Sequence, residues 1–108
     1  MTLLKRFKEN QDKIYETLKK KNKDYSGNSD GYENFRLCEQ MNLCSTEEGI
    51  MVRISDKYSR ICNLLKNENQ VKDESKIDTL LDMSAYCNIL ASYIQDKEVR
   101  KDGKSNAR

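Results

Sequence analysis

Proline is missing from all 108 residues, and glycine occurs only at positions 27, 31, 49 and 103. A chain so poor in helix breakers can run through long helices, because almost nothing removes a backbone donor or clashes with the preceding turn. Hydrophobic spacing then decides where the helices lie. Leu3, Leu4, Phe7, Ile14, Tyr15 and Leu18 recur at helical intervals with Lys and Glu between them, which predicts one amphipathic helix over 2–23. DYSGNSDG (24–31) is turn chemistry and ends it. Tyr32, Phe35, Leu37, Cys38 and Met41 predict a shorter helix over 32–41. Ser45 with Glu48 three residues later is a capping-box signature. It opens a third helix whose stripe is Ile50, Met51, Ile54, Tyr58, Ile61 and Leu65. NENQVKDES (67–75) reads as a loop, a fourth helix follows over 74–96, and the polar KDGKSNAR is expected to fray. The expected architecture is all-α: one small four-helix bundle over 1–97 and a polar C-terminal tail over 98–108.

Composition removes several function classes. Twenty Lys and Arg stand against eighteen Asp and Glu, a net charge of +2, which suits neither an acidic mimic of DNA nor a strongly basic nucleic-acid binder. No apolar run is long enough for a membrane span, and the N-terminal MTLLKRFKENQDK has no signal-peptide core. A cytoplasmic protein without membrane or nucleic-acid partners is expected. Cys38, Cys44, Cys62 and Cys87 form no C-x-x-C pair and the chain has no histidine. Zinc, which wants clustered Cys and His ligands, is not expected, and neither is His-based acid–base or nucleophilic chemistry.

The fourth helix departs from amphipathic spacing. Between Ile77 and Gln95 the only charged residues are Asp78 and Asp82, while Leu80, Leu81, Met83, Cys87, Ile89, Leu90 and Ile94 cover nearly the whole circumference. Such a helix is expected to be buried on every side. Asp78 and Asp82 share a face, with Glu74 one turn earlier on the same line. Like charges at this spacing repel, and burial raises the cost, so positive charge must lie opposite. Arg53, Asp56, Lys57 and Arg60 form a charged stripe on the third helix, in which Asp56 and Arg60 can pair. Packed against Glu74, Asp78 and Asp82, that stripe would give up to four carboxylates rimmed by bases. Carboxylates without His or Cys suit Mg²⁺ or Mn²⁺. Alternatively, Asp78 and Asp82 form buried salt bridges with Arg53 and Arg60 that only tie two helices together.

Three segments carry a resemblance. KNKDYSGN with the following ENF, then MVRISDKYSRI, then DESKIDTLLDMSAY resemble the phage and bacterial family called nucleotide modification associated domain 1, over roughly residues 18–94. In this chain the glycine after the Asp-Tyr pair is displaced to Gly27 by Ser26. The resemblance implies a phage-associated protein tied to nucleotide metabolism or base modification. A more remote similarity is to the all-α NTP pyrophosphatases of the MazG and dimeric dUTPase kind, which hold Mg²⁺ through E-x-x-E and E-x-x-D helices. Asp82 falls at the final Asp of the second pattern. Thr79 stands where its Glu would be, with Asp78 one position earlier, and the first pattern is represented at best by Arg53-x-x-Asp56.

Three functions follow as expectations. In the first, Asp56, Glu74, Asp78 and Asp82 hold Mg²⁺ for pyrophosphohydrolysis of a nucleoside triphosphate, with Asp56, Asp78 and Asp82 as the catalytic carboxylates. Arg53, Lys57, Arg60 and Lys21 neutralise phosphate, and Asn34 and Tyr25 recognise base or sugar. In the second, the same pocket binds a nucleotide or a nucleotide-derived signal without turning it over, as a phage protein sequestering host defence signals would. In the third, the protein is a helical adaptor with a structural charged seam. A homo-oligomer, a two-fold dimer first, is expected to cover whatever apolar strip one chain leaves open.

Overall fold

A computed structural model describes residues 1–26, 30–67 and 72–106. They form four helices: α1 (Leu3–Ser26), α2 (Glu33–Gln40), α3 (Thr46–Lys66) and α4 (Asp73–Asn106), with no strand among the described residues. The fold is an all-α, four-helix bundle, and none of its described helices is long and apolar enough to cross a membrane.

The joint between α2 and α3 follows from local chemistry. Asn42 takes a left-handed φ of 60°, which Asn tolerates because its short polar side chain can bond locally. That turn lets Leu43 N–H donate to Cys38 O at 3.0 Å and Asn42 N–H donate to Glu39 O at 3.0 Å, the paired bonds of a Schellman ending. Ser45 then caps α3: Glu48 N–H donates to Ser45 Oγ at 3.0 Å and Ser45 N–H to Glu48 Oε1 at 3.2 Å. The two helices approach so closely that a Cβ on Gly49 would stand 2.5 Å from Cys38 Sγ and 3.7 Å from Cys44 Sγ. A hydrogen bond to Cys38 pushes the Cys44 thiol above its ordinary pKa.

The core lies on α3 and α4. Ile50, Ile61, Ile89 and Tyr93 are its buried hydrophobic side chains, joined by Thr46 and Thr79. The two helices run antiparallel, since Glu47 meets Lys97 at 3.0 Å, Lys57 meets Asp82 at 3.2 Å and Arg60 meets Thr79 at 3.2 Å. Lys97 holds the Glu47 carboxyl below its ordinary pKa and is itself raised by it. The α2 end of the bundle is tied to α4 by Tyr32, whose hydroxyl donates to Asp96 Oδ2 at 2.7 Å. Its ring meets the edge of Tyr93 at a centroid distance of 5.4 Å. Burial, then the Asp96 carboxylate, pushes the Tyr32 hydroxyl up to about 12. Arg36 pairs with Asp30 on the same side.

Two expectations about α4 are corrected. It does not stop at 96 but runs ten residues further, to Asn106, so most of the expected tail is helix. Polar Lys- and Glu-rich sequence without proline continues a helix readily, and one glycine costs only about 1 kcal/mol. Nor is α4 buried on every side: Ile77, Leu80 and Ile94 are exposed, and so is Cys87. α3 and α1 pack against two of its faces and leave the third to solvent. Residues 27–29 and 68–71, within the two predicted loops, lie outside the described residues.

Candidate functional site

All four helices contribute to one cleft of about 600 Å³, within the range of roughly 300–1,000 Å³ that small ligands occupy. α1 supplies Lys13, Ile14, Leu18 and Lys21, and Asn34 and Phe35 come from α2. Arg53 comes from α3, and α4 contributes Asp78, Asp82, Tyr86 and Ile89. Gly31 lines the same wall with a φ of +95°, and a Cβ there would meet the Asn22 side chain at 2.9 Å. Only glycine combines that backbone with so close an approach to α1.

The acids of α4 face this cleft rather than a dry core. The Asp78 and Asp82 side chains are 55% and 39% exposed, which removes most of the desolvation cost expected for them. Positive charge does stand opposite, but it comes from lysines. Lys13 of α1 lies 3.5 Å from Asp78 and Lys57 of α3 lies 3.2 Å from Asp82. The alternative pairing with Arg53 and Arg60 is not made. Arg60 donates its Nε to Thr79 Oγ1 at 3.2 Å, and Thr79 passes its own hydroxyl to Ser75 O at 2.7 Å. The Asp56–Arg60 pair expected along α3 is likewise absent from the ion pairs of the described residues.

Arg53 has a different environment. Its guanidinium carbon lies 5.0 Å from the centre of the Phe35 ring and 5.9 Å from that of Tyr86. Both contacts are within the range of a cation–π interaction. The aromatic faces hold the guanidinium, and among the described residues no carboxylate neutralises it. Arg53 and Tyr86 also line a second, smaller hollow of about 360 Å³, together with Asp56, Lys57 and Arg60. Arg53 therefore stands where the cleft and the basic hollow meet.

The expected site residues divide accordingly. Lys21, Asn34, Arg53, Asp78 and Asp82 line the cleft, and Asp56, Lys57 and Arg60 line the hollow beside Arg53. Glu74 lines neither. It sits in the first turn of α4, where a carboxylate favours the helix N-terminus. The Tyr25 side chain lies outside the described residues. Lys13 and Tyr86 are cleft residues that sequence reasoning missed. Both continue lines already present in the sequence: Lys13, Thr17 and Lys21 are spaced by four, as are Asp78, Asp82 and Tyr86.

Among the described residues, no group of three or more His, Cys, Asp or Glu is placed to hold a metal ion. The four-carboxylate set of Asp56, Glu74, Asp78 and Asp82 is therefore not assembled. Asp78 and Asp82, one helical turn apart on the cleft wall and each paired with a lysine, are the two of that set that would hold a Mg²⁺ arriving with phosphates. That ion commonly takes one or two carboxylates and completes its shell with water and phosphate oxygens. Comparison of the chain with family models, curated proteins and solved structures returns no match.

Proposed function

We propose that the cleft binds a nucleotide or a nucleotide-derived signal, with its phosphates at Arg53. The observation that carries this reading is the setting of Arg53: a guanidinium held by Phe35 and Tyr86, at the junction of an apolar-floored cleft and a basic hollow. A cation fixed by its faces presents its N–H edge, and that edge matches phosphate oxygens bidentately. Lys21 and the hollow's Arg60 add charge for further phosphates. Ile14, Leu18 and Ile89 give a flat base or sugar an apolar floor, and Asn34 offers both a donor and an acceptor to its edge. The resemblance to the nucleotide modification associated family supports the same ligand class, and a phage protein with this cleft would sequester such a ligand.

Hydrolysis is the second reading, and Asp78 with Asp82 favours it. Bound between those carboxylates and the ligand, Mg²⁺ would act as a Lewis acid on the phosphoryl group, in keeping with the MazG-like resemblance. In either reading Lys13 and Lys57 hold the two carboxylates in place, and Arg53 orients the phosphate beside them.

A panel of nucleoside mono-, di- and triphosphates and cyclic nucleotides, with and without Mg²⁺, tests both readings by thermal shift and chromatography. Saturation at 100 times Kd stabilises the fold by about 2.7 kcal/mol. Binding is expected in the wild type, with at least a tenfold loss in R53K. A protein whose melting no member of the panel moves contradicts the proposal. Product formed only with Mg²⁺, and lost in D82N while binding persists, selects hydrolysis; binding without product selects sequestration.

A further inference from the structure

At 100° per residue α4 has three faces. Asp78, Leu81, Asp82, Ala85 and Ile89 line the cleft, and Thr79 and Tyr86 reach side chains of α3. The third face holds Ile77, Leu80, Ser84, Cys87, Ala91 and Ile94, and every one of them is exposed. The spacing alternates three and four residues over the whole stretch and contains no charge. That is the a/d pattern of a helix seam built to meet another helix. Between Leu81 and Tyr93 the other apolar side chains of α4 are buried or half-buried, so this is the open apolar face of that stretch.

The exposed area leaves room for a partner. The chain exposes 8618 Å², whereas a compact monomer of 12.7 kDa exposes about 6,200 Å². The surplus, roughly 2,400 Å², belongs to the whole chain, the exposed α1 included, and is more than the ~800 Å² that each side of a standard interface covers. The radius of gyration, 16.7 Å, likewise exceeds the ~13 Å of a compact domain this long.

We infer that this face of α4 is the interface with a second copy of the chain, packed antiparallel about a two-fold axis between Ser84 and Cys87. The seam's own order points to that occupant. About such an axis Ile77 meets the second copy's position 94, Leu80 meets position 91 and Ser84 meets position 87, and each contact occurs twice. The large Leu80 falls on the small Ala91, the two isoleucines close the ends, and Ser84, Cys87 and Ala91 let the backbones come close. A self-complementary order is what a two-fold interface requires. The seam faces away from the cleft, so this inference stands or falls apart from nucleotide binding.

Sedimentation at micromolar concentration tests it, with L80E and I94E as variants. Both positions are solvent-exposed, so helicity by circular dichroism stays at the wild-type level. The wild type is expected at twice the chain mass. Each variant weakens the dimer on the order of 100-fold or more, because one substitution puts a charge into two contacts of the seam. A monomeric wild type independent of dilution overturns the inference, and so does a dimer that survives both variants. Mild oxidation of S84C fixes the direction. A disulfide between position 84 of one chain and Cys87 of the other supports the antiparallel register, whereas 84–84 and 87–87 links overturn it.

Discussion

α3 and α4 carry the buried side chains Ile50, Ile61, Ile89 and Tyr93, whereas α1 carries none among its described side chains and leaves Leu3 79% and Leu4 80% exposed. The cleft lies between these two regions. Its α3–α4 wall holds Arg53, Asp78, Asp82 and Tyr86 on a packed scaffold, and its α1 wall brings Lys13, Leu18 and Lys21 on a helix tied across by the Lys13–Asp78 pair. That pair is more than half exposed on both sides and contributes at most about 1 kcal/mol. The difference teaches how such a site divides its tasks. Under the proposed reading, the groups that must be placed accurately sit on the packed wall, and the α1 groups sit on the wall with the less buried side chains.

The largest expected effect contrasts the two walls directly. Ile50 is 1% exposed, so Ile50→Ala should cost about 2–5 kcal/mol by lost transfer energy and cavity formation. Leu4→Ala should stay within about 0.5 kcal/mol. Urea unfolding of both variants checks this, and equal losses would erase the contrast.

A smaller effect tests whether the α2–α3 joint belongs to the firm region. Gly49→Ala gains helix propensity by about 1 kcal/mol, yet its Cβ would enter the space of Cys38 Sγ at 2.5 Å. Overpacking of this kind costs about 1–3 kcal/mol, so a net loss is expected. Adding Cys38→Ala should return part of that loss. Strictly additive losses in the double variant would show that the two groups do not meet.

How much of this was legible depends on how local each feature is. The start of α1 and the boundaries of α2 and α3 follow from spacing and turn residues, whereas α1 runs on to Ser26, three residues into the expected turn. The Ser45–Glu48 capping box forms as read because all its partners lie within four residues. The acid line of Asp78 and Asp82 was legible as a line. Its partner Lys13 was not, because that contact joins α1 to α4 across most of the chain. Arg53 was legible as a cation on the α3 stripe, but nothing in RISDKYSR announces Phe35 and Tyr86 around it. On α4 the number of apolar residues does not show which face is covered: Ile89 and Tyr93 are buried, whereas Ile77, Leu80 and Ile94 stand on the open face.

The smallest stability effect sharpens the tie between α2 and α4. Tyr32→Phe removes the bond to Asp96 and should cost about 1 kcal/mol. The Tyr32 hydroxyl has a folded-state pKa pushed from 10.0 to about 12, so the folded chain keeps a proton that the unfolded chain releases. Its contribution is therefore complete below pH 10 and is lost as pH rises from 10 towards 12. The alkaline fall in stability over that window should be shallower in Tyr32→Phe. Equal slopes for the two proteins would detach this hydroxyl from the fold.

The central claim is that phosphate meets Arg53 inside the cleft. It is tested most directly by following the arginine Nε–Hε and backbone amide resonances while ATP is added. The account predicts a saturable shift of the Arg53 side-chain signal, with Asn34, Phe35 and Tyr86 moving along the same binding curve and R53K losing it. An unmoved Arg53 signal at millimolar ATP, or shifts confined to Lys19 and Lys20 outside the cleft, would contradict it.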